Sequence, residues 1–210
     1  GTTPITEAQR VAIKEAAASG VAGLIDKAGR RWTPEAYVNT VMRSTIGNTA
    51  RAAQDAGMDH HGIPLIEVSQ HMGARPKCAP YQGKIFSREG YVHPTYPSIT
   101  ETSYGEPAGQ FGINCGHVSY PYIEGYTIHR DQPIETEAND EAYKLSQQQR
   151  AIERGIRATK REEAMLRVAG DPEGAAEAKA KVKTLQKTMR GFIEETGRTR
   201  RRNREQIYGA

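Results

Sequence analysis

Cysteine is scarce: only Cys78 and Cys115 occur in 210 residues. Two cysteines cannot build the multi-bridge framework that staples small secreted domains. No apolar run approaches the roughly 18 residues that a membrane-spanning helix requires, and no basic-plus-apolar leader segment is visible. The chain opens on Gly1 rather than Met, so the expectation is an excised fragment or processed product with residues missing ahead of it. Without a secretion signal, reduced thiols in a cytoplasm are the expected state. Hydrophobic residues make up only 37% and mean hydropathy is −0.70. That favours an elongated or partner-supported shape over one large core. A glycine-rich phosphate loop, an HExxH helix and a G-x-S-x-G elbow are also missing, so the common catalytic signatures are absent.

The charge that is present is unevenly placed. The net charge is +4, yet residues 141–210 hold 17 basic and 10 acidic side chains. The preceding 140 residues hold 12 basic and 15 acidic ones. A basic tail on a slightly acidic body suits an acidic partner, nucleic acid among them.

Three segments follow from the pattern, and the expected fold class is α+β. Residues 1–57 read as an N-terminal helical segment. One helix starts at the N-cap Thr6; after a break at "DKAGRRW" another starts at Thr33 with Pro34 in the first helical position and ends near Gly57. Residues 58–130 read as a small central domain with short strands and long ordered loops. Seven of the 11 prolines lie there. The strand candidates are "IPLIEVSQ", "GKIFS" and "HVSYPYI". Residues 131–210 read as an antiparallel helical hairpin with a basic end. Ala178, Val182, Leu185, Met189 and Phe192 repeat at 4, 3, 4, 3, a coiled-coil-like seam. Leu145, Ile152, Ile156 and Leu166 are the expected facing stripe, and "GDPEG" at 170–174 supplies the turn.

The two cysteines sit in loops, in "GARPKCAPYQGKIFS" and "FGINCGH". Four readings stay open at this point: a metal site, a nucleophile, a disulfide, or a pair of buried thiols. Zinc takes four Cys or His ligands in a tetrahedron. Cys78, Cys115 and His117 would supply three of them, with His71, His60 or His61 as the fourth. A nucleophilic cysteine needs a nearby base and a lowered pKa, and His117 is the base within reach in sequence. No cofactor is expected, structural zinc being the one candidate.

Four stretches carry a resemblance: "DKAGRRWTPEAYVNTVMRSTI", "IEVSQHMGARPKCAPYQGKIFS", "YPSITETSYGEPAGQFGINCGHVSYPYIEG" and "QRAIERGIRATKREEAMLRVAGD". They look like the C-terminal half of the phage minor capsid protein 2 family, which is similar to the Mu-F-type head morphogenesis proteins. The shared elements are Arg75, Cys78 and Gly83, then Asn114, Cys115 and His117, within a likeness running from about Asp26 to Gln206. The resemblance implies a structural minor head protein, made with the portal and terminase. Its expected partners are the portal, other capsid proteins and packaged DNA. Its expected place is the virion, and the host cytoplasm during assembly. The expected role is in head morphogenesis, DNA packaging or genome delivery.

Two alternatives from other classes stand beside it. One is a toxin-like effector enzyme, a metal-independent nuclease using Arg43, Thr45, His71, Arg75 and His117 as electrostatic and acid–base groups. The other is a nucleic-acid-binding module using Arg198, Arg200, Arg201, Arg202 and Arg204. An enzyme would gather its side chains in one cleft. A structural protein would leave them apart or bond them to backbone.

Overall fold

The structure, a computed structural model, describes residues 24–27, 29, 31–129 and 134–207. The expected helix starting at Thr6 lies outside these residues. The described chain divides into two compact units, Gly1–Glu135 and Thr136–Ala210. Helices and a small antiparallel sheet together make it an α+β fold.

The segment read as a break is a tight hairpin. Strands β1 (Leu24–Ile25) and β2 (Arg31–Trp32) pair antiparallel. Gly29 takes φ +75° between them, and the Trp32 indole N–H donates to Asp26 at 3.0 Å. Helix α1 (Pro34–His60) follows at once. The Thr33 hydroxyl caps it by accepting from the Ala36 amide at 3.3 Å, and Pro34 occupies a position whose N–H has no helical partner.

All three strand candidates of the centre form strands. These are β3 (Leu65–Val68), β4 (Ile85–Ser87) and β5 (Ser119–Tyr122), in the order β4-β3-β5, all antiparallel. Period-2 alternation gives the sheet two apolar faces. Ile66, Val68 and Phe86 join Met58 of α1 with Ile99 and Phe111 on one side; Leu65, Ile85 and Tyr122 gather on the other. Pro121 sits in β5, an edge strand, where a missing N–H is tolerated. The register sets up the site. Val68 faces Ser119 and Glu67 faces Ile85. The C-terminal end of β3 therefore lies beside the N-terminal ends of both β4 and β5. The loops entering and leaving these ends, 69–84 and 102–118, must meet there.

In the second unit α2 (Thr136–Val168) and α3 (Pro172–Thr196) pack as a hairpin. Asp171 caps α3 by accepting from the Gly174 amide at 2.9 Å, and Gly197 ends it in the left-handed conformation. The α3 seam runs as its spacing predicts, with Ala178, Val182 and Met189 buried and Leu185 and Phe192 half-buried. The α2 seam differs from expectation. Only Ile156 of the expected stripe is fully buried, while Leu145, Ile152 and Leu166 are half-buried. The other buried positions are Asn139, Gln149, Glu153 and Thr159. The reason is the basic end of the chain, which folds back along α2. Gln149 donates to the Thr199 carbonyl at 3.0 Å, Arg157 donates to the Arg204 carbonyl, and Lys160 donates to the Gln206 side chain at 2.9 Å. Polar residues on α2 meet polar backbone there. No described helix is long and apolar enough to cross a membrane.

Candidate functional site

Three loops converge at the end of β3. The first leaves β3 and carries His71, Arg75 and Cys78. A single 3-10 turn, Ala79–Tyr81, then returns the chain toward β4 through Gln82. The amides of Cys78 and Ala79 both donate to the Arg75 carbonyl at 2.8 Å, and the Gly83 amide donates to the Val68 carbonyl at 2.9 Å. Cys78 is thereby fixed in a fully buried position under the turn. The second loop, Ser103–Gly112, coils tightly on itself. A Cβ at Gly109 would lie 1.8 Å from the Ser103 carbonyl oxygen, so only glycine fits. The third stretch, Asn114–His117, leads into β5, with Asn114 at φ 56°.

Arg75 joins the loops. Its guanidinium donates to the Ile113 carbonyl at 3.0 Å and the Gly109 carbonyl at 3.1 Å, and reaches the Cys78 sulfur at 3.8 Å. One planar fork ties the first loop to two carbonyls, four residues apart, of the loop before β5, and faces a thiol.

The sulfurs of Cys78 and Cys115 are 4.0 Å apart, and Cys115 Sγ lies 3.4 Å from His117 Nδ1. All three atoms fall within 4.8 Å of one another. The two thiols lie within reach of a weak S–H···S hydrogen bond. The hydrogen bond from Cys78 draws the Cys115 pKa well below the ordinary thiol range, helped by His117. The same bond, then burial, pushes Cys78 up. Gln82 sets the other side of the imidazole. Its Oε1 accepts from the His71 backbone N–H at 3.0 Å and lies 3.3 Å from His117 Nε2. His71 stacks on His117 with ring centres 4.4 Å apart and planes at 27°. Loss of water, then the neighbouring His117, hold His71 below the ordinary histidine range. Gly116 leaves room for that ring, since a Cβ there would sit 3.1 Å from His71 Nε2.

The structure therefore brings together Cys78, Cys115, His117, His71 and Arg75. His71 contributes a stacked ring, and its nitrogens lie outside the set of three converging ligand atoms. His60 and His61, at the end of α1, lie edge-to-face on each other with centres 4.9 Å apart. Arg43 and Thr45 are exposed on α1, and among the described residues no hydrogen bond joins them to the cluster. The five C-terminal arginines divide. Arg198 donates to the Gln149 side chain at 2.9 Å and to the Ala142 carbonyl at 3.5 Å. Arg200 makes a two-pronged pair with the buried Glu205, both bonds at 2.6 Å. Arg201 and Arg202 are exposed and Arg204 is half-buried. Sequence reasoning missed Gln82 altogether. Its only signal is its place three residues before β4, which identifies no chemistry.

The family described as phage minor capsid protein 2 has a sequence model that matches residues 1–194, across both compact units. A protein of Lactococcus phage LL-H described as "Structural protein" is 32% identical over 190 residues, covering 88% of this chain and 51% of that protein. The chain thus spans about half the length of that relative. A second "Structural protein", from Lactococcus phage mv4, is 34% identical over 116 residues, 55% of this chain and 94% of that protein. No solved structure matches significantly.

Proposed function

The chain belongs to the phage minor capsid protein 2 family, and from that premise we propose that it is a minor structural component of a tailed-phage head. In this reading it is built in beside the portal in few copies and assists head assembly, DNA packaging or genome delivery. The observation that carries the reading is the family match over residues 1–194, which takes in the loop cluster and the helical hairpin together. The geometry supports a structural centre over an enzymatic one. Arg75 spends its donors on two backbone carbonyls, as a loop fastener would. Arg43 and Thr45, which a nuclease would need in the same cleft, are exposed on α1. Arg201 and Arg202 remain open for packaged DNA or an acidic face of another capsid protein.

The test is genetic and compositional. Quantitative mass spectrometry of purified virions should find this chain at a small multiple of the portal copy number. An amber allele should give particles with normal major capsid protein and greatly reduced infectivity. A chain abundant in lysates and missing from virions contradicts the proposal.

A further inference from the structure

We propose that Cys78, Cys115 and His117 form a binding site for a zinc ion, with water in the fourth position. The inference stands apart from the virion role and would hold for the isolated chain.

The converging atoms already approximate the required figure. Zinc–sulfur bonds near 2.3 Å and zinc–nitrogen bonds near 2.0–2.1 Å imply tetrahedral edges of roughly 3.8 Å between sulfurs and 3.6 Å between sulfur and nitrogen. The observed separations are 4.0 Å and 3.4 Å, and the third edge is no longer than 4.8 Å. Two thiolates and an imidazole select a soft or borderline ion over magnesium or calcium.

The surroundings fit as well. Gln82 Oε1 is fixed as an acceptor by the His71 amide. A neutral His117 therefore keeps its one N–H on Nε2, toward Gln82, and turns the Nδ1 lone pair to the sulfurs. Orienting partners of this kind raise a ligand's basicity and hold its ring. The Arg75 guanidinium beside Cys78 offsets the charge of a thiolate. Each ligand is held by its own surroundings: Cys78 under the Ala79–Tyr81 turn, Cys115 through its amide hydrogen bond to the Gly112 carbonyl at 2.9 Å, and His117 between Gln82 and the stacked His71 ring. On binding, the ion replaces the thiol protons, which pass to buffer.

The experiment uses the full chain, reduced and freed of metal by chelator. With added Zn²⁺ followed by gel filtration, elemental analysis should find roughly one zinc per chain, and both thiols should resist a thiol reagent until chelator returns. Added Co²⁺ should give a thiolate-to-cobalt charge-transfer band and intense tetrahedral visible bands. Cys78→Ser and Cys115→Ser should lose the metal. Gln82→Leu should keep it at about 10–100-fold lower affinity. Zinc well below one per chain with both thiols reactive overturns the proposal, as does zinc retained by both cysteine variants. A Cys78–Cys115 disulfide that persists under reductant with zinc present also overturns it. Should the cysteine variants fail to fold, the Co²⁺ spectrum of the parent decides, and absence of the charge-transfer band is fatal.

Discussion

Arg75 shows how one side chain can organise a loop-rich domain. Its position before Pro76 favours an extended backbone, and its fork ends on carbonyls 34 and 38 residues away in sequence. Lysine would keep the charge and lose the fork. Arg75→Lys should lower stability by about 1–3 kcal/mol, the cost of leaving acceptors without donors. Urea unfolding reads this directly; unchanged stability with loss of some activity would revive the enzymatic reading. The extended backbone at Arg75 was legible from the neighbouring Pro76. The identity of the carbonyls was not, because they are chosen by the coil of Ser103–Gly112, where Gly109 alone allows close approach to Ser103. Gln82 was illegible for a similar reason. Its amide bonds to two histidines, one of them 35 residues away, and nothing local marks it.

At the scale of elements, capping and periodicity were readable because they are local. Thr33, Pro34, Asp171 and Gly197 act where their types suggest. The α3 seam followed from its 4–3 spacing. The α2 seam did not, because spacing shows which residues share a face and not what covers it. Its cover is the arginine-rich segment, whose charge points from sequence to an outside acidic partner instead. Glu153 lies in this seam, 2% exposed, with Oε1 lacking a hydrogen-bond partner among the described residues. Burial raises its pKa, against the pull of Arg204, Arg157, Arg150 and Arg201. A carboxyl whose native pKa is raised costs no stability below its unfolded value. Its penalty grows as the pH rises through the native value. Glu153→Gln, which stays neutral, should melt a few degrees above the parent at pH 7, with the gap closing near pH 4. Thermal melts at the two pH values check this. A variant less stable at pH 7 would mean that attraction to the arginines outweighs burial.

At the scale of the molecule, two compact units with different chemistry share one family match. The first carries the thiol–imidazole cluster. The second carries the excess positive charge, part of which is spent internally by Arg198 and Arg200. If the chain contacts packaged DNA, the contact should therefore rest on exposed groups such as Arg201 and Arg202. The double change of these two to glutamate should weaken binding and flatten its dependence on salt, since fewer counterions are released. Binding that is unchanged at both low and high salt would remove the tail from any DNA contact. The central claim, a head protein seated beside the portal, is tested most directly by asymmetric cryo-electron microscopy of wild-type and amber-mutant heads. The account predicts density for this chain inside the head next to the portal ring, absent from the mutant. Density spread over the icosahedral lattice, or identical portal vertices in the two particles, would contradict it.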